Sequence, residues 1–423
     1  MHREFIRPTK PLEASTKCPS FDRRLRFITP GIAFCYRERL EPSRLRSALE
    51  RVLNDFSVFS GRLSDRHGVL HVEHGVGGVP LEFVKRSESS RELAVRVGAN
   101  FESQKLLLPN ISVLRSRRRV PMLAARLTHT ADGSVLGVTW NHAAGDMHSL
   151  MLLLRSWANA YRGCAYDKPL QVQDPAAYLN EHLPNPPAGQ SMHMASWTEW
   201  LRFGSSLVSL AIRPVTLRFT WEELLRLQAT AQREKSITVQ DGLAAHIYMR
   251  VCRLHAPDAK ALLHLAINYR KRLQLPSNLL GNFIDVVRTT VAPSDDIASV
   301  AANLRSNIEA FPRSALYQHE LARLEAEHTG WAQRMRFVYS DVDLRSVALA
   351  MTVSSWAGFG IYELAFEASN PVWVETKPID QGNWFANVFE TPGDAGLTVR
   401  AWLPSKLASS LEREHARGLT APA

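Results

Sequence analysis

The chain has 423 residues, 45% of them hydrophobic and 22% charged, more than one small core needs and enough for two domains. Its 51 Lys and Arg against 41 Asp and Glu leave a formal net charge of +10. So large an acidic complement excludes a basic tail or a histone-like protein. The four cysteines, Cys18, Cys35, Cys164 and Cys252, form no CxxC pair. That excludes a disulfide scaffold and a zinc ribbon, and fits a reducing, cytoplasmic compartment. The opening stretch MHREFIRPTKPLEAS carries no apolar core of the signal-peptide kind, so no secretory signal is expected. Apolar runs such as Leu150 to Leu154 fall far short of the roughly 20 residues that span a bilayer, so no membrane partner is expected.

In chain order, Arg23, Arg24 and Arg26 form a first basic cluster. Glu41-Pro42-Ser43 then opens a helix whose apolar positions Leu45, Leu49, Val52 and Leu53 keep helical spacing, and Asn54-Asp55 ends it. Gly75, Gly77 and Gly78 match neither GxGxxG nor GxxxxGK[ST] and read as a turn. Arg115, Arg117, Arg118 and Arg119 make a second basic run without aromatic interleaving. It reads as a solvated face or a basic rim for an anionic donor, and no nucleic-acid partner is expected.

Residues 121–130 and 134–141 are β-rich and joined by Ala131-Asp132-Gly133, which predicts a hairpin. Leu150, Leu153, Leu154, Trp157, Ala158 and Tyr161 follow as the stripe of an amphipathic helix that stops at Gly163. From Asp167 to Gln190, Pro169, Pro175, Pro184, Pro186, Pro187 and Gly189 disfavour a long regular element and predict a crossover linker. The expected division is an N-terminal domain at 1–166, a linker at 167–195 and a C-terminal domain at 196–423. Trp197, Trp200 and Trp221 near that linker are core residues or the lining of an acceptor pocket. Thr238 and Asp241 form a capping box ahead of Leu243, Ile247 and Val251. Residues 261–268, 286–292, 348–353 and 397–403 read as strands, and the class is mixed α/β.

The residues richest in chemistry are Asn141-His142-Ala143-Ala144-Gly145-Asp146, where a buried strand hands over to a helix. A strand end holds a side chain rigidly, and the small residues beside His142 leave room for a substrate. An imidazole titrating near ~6.5 suits a general base. The plainer readings are a hydrogen-bonded core histidine and, for Asp146, a helix N-cap. A metal bound through His142, Asp146 and His148 lacks a convincing third ligand, so no metal is expected. Gly-x-Ser-x-Gly does not occur, which disfavours a serine acyl-enzyme.

His142-Ala-Ala-Gly-Asp146 resembles the HxxxD motif of the BAHD acyltransferases and, more distantly, of condensation domains. Further matches follow in family order along nearly the whole chain: Phe56-Ser-Val-Phe-Ser-Gly-Arg62-Leu63, Ser236 to His246, Asn268-Tyr-Arg270-Lys-Arg272-Leu273 with Leu280-Gly281-Asn282-Phe283, and Ser354-Ser-Trp356 with Ile361-Tyr362-Glu363 and Phe366. The resemblance implies a chloramphenicol-acetyltransferase-like α/β fold of two domains, each a mixed sheet with helices, and a channel between them. It implies acyl-CoA as co-substrate, a carrier-protein thioester being the other possible donor, and a small-molecule hydroxyl or amine as acceptor. His142 would be the general base. Asp146 would pair with Arg270 or Arg272, and Asn141, Gly145 and Trp356 would line the site, with Gly145 backbone or Trp356 as oxyanion donors.

The sequence also departs from the family pattern. Met147 replaces the glycine after the aspartate, Gly358 stands where many members carry arginine, and of the DFGWGKP segment only Phe366 and Pro371 remain. These departures set the chain apart from the plant-type subgroup and point to a microbial member of a biosynthetic pathway. They leave two alternatives: a CoA-independent cyclisation or rearrangement in the same fold, and a non-catalytic binding protein.

Overall fold

The computed structural model describes residues 2–10, 14–18, 20–67, 69–99, 102–112, 120–182, 192–194, 212–233, 235–310, 337–339, 347–377 and 384–418. The basic run Arg115 to Arg119, the tryptophans Trp197 and Trp200, and linker residues 183–191 and 195 lie outside them. The chain forms two compact units, and they are not two contiguous halves. The first joins Met1–His182 with Tyr269–Phe283 and Gly358–Gln381; the second joins Leu183–Asn268, Ile284–Ala357 and Gly382–Ala423.

The first unit is built on a sheet in which His2–Ile6, Val79–Lys85, Leu123–His129, Ser134–Trp140, Gly31–Tyr36 and Trp373–Lys377 lie side by side in that order. The expected hairpin is present: Leu123 faces Trp140 and His129 faces Ser134 in antiparallel register. Its turn needs the glycine, because a Cβ on Gly133 would lie 2.1 Å from the Tyr36 carbonyl oxygen. Ser134–Trp140 is buried along its whole length, as a strand flanked on both sides and covered on both faces must be.

The helix Pro42–Val52 carries proline in its first turn, where no intrahelical N–H is lost, and Glu41 caps it by accepting from the Ser43 N–H. Its buried face, Leu45, Ala48, Leu49 and Val52, packs on the helix Met147–Tyr161, whose Trp157 indole donates to the Leu45 carbonyl at 2.9 Å. Leu150, Leu153, Leu154 and Trp157 of that helix are fully buried, each such side chain contributing about 1.5–3 kcal/mol of transfer free energy. Within the expected linker a short helix, Pro175–His182, forms with proline at its start. The Gly75–Gly78 segment is a turn, its Gly77 and Gly78 carbonyls accepting from the Arg62 guanidinium at 3.2 and 2.9 Å. Arg26 of the first basic cluster is buried, with its guanidinium 4.4 Å from the Phe27 ring centroid.

The eroded segment is anchored by its surviving phenylalanine. Phe366 is fully buried and meets Tyr36, Trp157 and Tyr161 edge to face. Around it, Tyr36 donates to the Leu364 carbonyl at 2.8 Å, Arg162 donates to the Ala365 carbonyl, and Glu367 accepts from Tyr161 at 2.5 Å.

The second unit has a sheet in the order Ile212–Thr220, Gly396–Pro404, Phe385–Glu390, Val347–Ser355, Lys260–Asn268 and Ile284–Val291. Val347–Ser355 runs parallel to both its neighbours. The four strands expected in this half are all present. The apolar core holds Val215, Leu217, Leu263, Leu265, Met351, Val353, Ala386, Val388, Val399 and Ala401 of the strands with residues of the helices Trp221–Ala231, Val239–His255, Ile297–Glu309 and Ser405–Ala416. Thr238 and Asp241 make the expected capping box, and Thr220 with Glu223 makes a second. Trp221 begins its helix 40% exposed, its indole donating to the Asp394 carbonyl at 2.9 Å, so it is not a core residue. Among the described residues no helix is long and apolar enough to cross a membrane.

Buried neutral histidines tie stability to pH. In the first unit His74 sits between Thr16 Oγ1 at 2.8 Å and Ser57 Oγ at 2.9 Å, and burial pushes its pKa down to about 4. In the unfolded chain it protonates below about 6.5, so its contribution is complete above that pH and is lost at about 1.4 kcal/mol per pH unit as the pH falls toward the folded value. His246 and His264 of the second unit are pushed down to about 3, by burial first and neighbouring cations second. The urea midpoint is therefore expected to fall between pH 7 and pH 5, with a shallower dependence in His74→Gln.

Candidate active site

The first unit's central strand ends at Trp140, and the three residues His142–Ala144 make a tight turn before the helix Met147–Tyr161. Asn141 caps this turn: its Oδ1 accepts from the Ala143 N–H at 3.0 Å and its Nδ2 donates to the Arg26 carbonyl at 2.9 Å. Asn141 is completely buried, so its side chain holds backbone instead of lining a substrate space, which corrects the lining role expected for it. The His142 N–H donates to the Ile28 carbonyl at 2.9 Å, and the residue as a whole is half-buried.

Gly145 is required by its backbone. Its φ is +150°, and a Cβ there would lie 2.7 Å from Ser149 Cβ. Its carbonyl accepts from the Trp140 indole at 3.0 Å, and its N–H donates to the His142 carbonyl at 3.3 Å. The backbone donor expected near an oxyanion is thus engaged within the turn itself.

Asp146 is both the helix N-cap and an ion-pair partner. Its Oδ1 accepts from the Ser149 N–H at 2.9 Å and the Ser149 hydroxyl at 3.0 Å. Arg270 donates to Oδ2 at 2.6 Å and to Oδ1 at 3.2 Å, a two-pronged pair. The Phe283 N–H adds a bond to Oδ2 at 3.1 Å. The two side chains are only 3% and 2% exposed. Burial alone would push the Asp146 carboxyl up, but the Arg270 charge and hydrogen bonds outweigh it and hold the group below its ordinary value. Arg270 is satisfied in turn by the carbonyls of Leu279 at 3.0 Å and Gly281 at 2.9 Å. With its oxygens committed in this way, Asp146 orients the loop 269–283 against the helix start.

Arg272 is exposed, so Arg270 alone of the two candidates fills the pairing position. Arg270 also belongs to the same compact unit as Asp146, although in sequence it lies beyond the expected linker. Trp356 is in the second unit, buried, its indole donating to Ser354 Oγ at 3.2 Å. His148 stands apart from His142, its Nε2 lying 2.6 Å from the Ser277 carbonyl oxygen.

Three residues that touch this array were given no role from sequence. Ser149 bridges Asp146 to the Gly281 carbonyl at 2.9 Å and accepts from the Gly281 N–H at 3.1 Å. Asn282 reaches the imidazole, its Oδ1 2.9 Å from His142 Nδ1. Asp22, in the helix Ser20–Leu25, accepts from Asn282 Nδ2 at 2.9 Å. The signal for Ser149 was its place three residues after an N-cap, and for Asn282 the Gly281-Asn282-Phe283 match. Nothing in the sequence marks Asp22.

Burial lowers the His142 pKa below its ordinary value, and this outweighs the opposing effects of the Asp146 charge and the bonds with its own carbonyl and Asn282. The ring is therefore neutral at pH 7, the state a base must have before it takes a proton.

The family model described as transferase family matches residues 33–417. The chain belongs to this family, the BAHD acyltransferases. Among curated proteins this BAHD chain is 21% identical to "BAHD acyltransferase DCR" of Arabidopsis thaliana, over 97% of its own length and 91% of that protein. Two solved structures share its fold. Vinorine synthase matches with a TM-score of 0.72 at 19% identity, covering 97% of this chain and 95% of that one. F. sporotrichioides TRI101, crystallised with coenzyme A and T-2, matches with a TM-score of 0.73 at 16% identity, covering 95% and 98%.

Asp146→Ala is expected to strand the Arg270 charge in the interior and to cost about 3–5 kcal/mol of stability, read as a lowered urea midpoint. Gly145→Ala, which strains the backbone and displaces Ser149, is expected to cost about 1–3 kcal/mol in the same measurement.

Proposed function

We propose that this BAHD acyltransferase moves an acyl group from a CoA thioester to a hydroxyl or amine of a small-molecule, secondary-metabolite acceptor, with His142 as general base. The observation that carries the reading is the placement of His142 on the turn that ends a buried strand, its Nδ1 against Asn282, beside a carboxylate already committed to Arg270. Related proteins point the same way: TRI101 was crystallised with coenzyme A, and another relative, 24% identical, is an acetyl-CoA-benzylalcohol acetyltransferase of Clarkia breweri.

In the proposed reaction His142 takes the acceptor's proton as its oxygen or nitrogen attacks the thioester carbonyl carbon. The tetrahedral intermediate then expels the CoA thiolate, to which the imidazolium returns the proton. The new ester or amide and free CoA leave with no covalent acyl-enzyme. Asp146 takes no part in the proton transfer; its pair with Arg270 keeps the turn that carries His142 in place.

The test is a panel of acyl-CoAs with alcohol and amine acceptors, followed by thiol release and by product mass. His142→Ala is expected to lower kcat about 10²–10⁴-fold; a variant as active as the native protein would sink the mechanism. Because burial lowers the His142 pKa, the base form persists into mild acid, and the acid limb of kcat/KM is expected to have its midpoint below about 6.5. Turnover of a biosynthetic intermediate without any CoA binding by calorimetry would point instead to a cyclisation or rearrangement.

A further inference from the structure

Residues 26–30 lead into the strand Gly31–Tyr36 and run past the end of the first unit's central strand, where every second carbonyl is spent. The Arg26 carbonyl accepts from Asn141 Nδ2 at 2.9 Å, the Ile28 carbonyl from the His142 N–H at 2.9 Å, and the Pro30 carbonyl from the Trp140 N–H at 3.1 Å. The stretch is fixed from the other side as well. The Arg26 N–H donates to the Asp22 carbonyl at 3.0 Å and the Ile28 N–H to the Leu25 carbonyl at 2.9 Å. Between Arg26 and Ile28 stands Phe27, and it is 40% exposed.

A lone apolar side chain on a surface calls for no explanation. Phe27 differs in how it is held, because both of its neighbours are bonded to the turn that carries His142. Its backbone is ordered before any ligand arrives, so covering its ring costs little further entropy. The buried Arg26 guanidinium stands over the ring, 4.4 Å from its centroid. A cation on a ring draws on its π electrons, and a second ring stacked on what remains is favoured when it is electron-rich.

We propose that Phe27 is a specificity-determining residue, a platform on which the ring of an electron-rich aryl alcohol packs while the alcohol's hydroxyl meets His142. The proposal rests on the reading of His142 as general base. An acceptor that brings its hydroxyl to the imidazole lays the rest of its skeleton over the residues bordering the turn, and Phe27 borders it through both neighbours. A saturated ring of similar size would bury similar area there but would lack the π face, so comparing the two ring types separates stacking from burial.

The test measures binding to the full-length protein with CoA present, by saturation-transfer NMR titration. The probes are 4-methoxybenzyl alcohol, 2-(4-hydroxyphenyl)ethanol and indole-3-ethanol, with cyclohexylmethanol as the saturated control. At least one aryl alcohol is expected to bind about 3–10-fold more tightly than the control. Phe27→Leu, which keeps apolar bulk, is expected to abolish that preference, and Phe27→Tyr to retain it. The exposed side chain carries little of the core, so both variants are expected to keep the native urea midpoint. With acetyl-CoA as donor, Phe27→Leu is expected to raise the KM of the preferred alcohol about 3–10-fold and to leave the acetyl-CoA KM within about threefold. Binding is read without turnover, so an intact preference with no acyl transfer would count against the general base and not against the platform. A native protein that binds none of the three aryl alcohols, or binds them no better than cyclohexylmethanol, would overturn the proposal. An unchanged preference in Phe27→Leu would overturn it too. A rise in the acetyl-CoA KM alone would assign the ring to the donor, with the same consequence.

Discussion

The buried pair between Asp146 and Arg270 is the constraint on which the candidate site depends. Two charges taken from water are tolerated only where each remaining hydrogen-bonding position is met. Here the carboxylate is met by Arg270, Ser149 and the Phe283 backbone, and the guanidinium by Asp146 and the carbonyls of Leu279 and Gly281. Satisfying both ions fixes the loop 269–283 against the start of the helix Met147–Tyr161. That loop carries Asn282, so the same pair that holds the helix start also delivers an amide to the imidazole.

Division of labour between His142 and Asp146 follows from this arrangement. They are four positions apart, yet their side chains answer to different neighbours, because the turn at Gly145 breaks the helical path between them. A carboxylate tied to arginine is a poor proton carrier, since its basicity is spent on the cation. The imidazole, by contrast, has one nitrogen against an amide and is held neutral by burial. Position in the motif says little about role; the partner of each side chain decides it.

Much of this was legible in the sequence wherever the signal was local. The hairpin with its Asp-Gly turn, the helix after Glu41, the Thr238–Asp241 capping box and the N-cap at Asp146 are set by neighbours a few residues away, and they stand where the spacing placed them. Asp146 satisfied both of its readings at once, because Oδ1 serves the cap while Oδ2 takes the closer Arg270 contact. What failed was long-range and directional. Asn141 has the composition of a substrate-facing residue, but its amide points into the backbone. Arg270 and Arg272 cannot be ranked by spacing, since which one turns inward depends on the path of the loop. Asp22 belongs to no local motif, and its partner is fixed only when the fold is complete.

The path of the chain also bears on how such a protein can be altered by recombination. The segments Tyr269–Phe283 and Gly358–Gln381 leave the second unit and return to it, each giving the first unit something it needs: the arginine in one case, an edge strand and Phe366 in the other. A crossover at the proline-rich stretch between two divergent genes would therefore exchange more than one module for another. It would pair a carboxylate from one lineage with an arginine from the other, and a product would survive only where both lineages had kept that loop compatible.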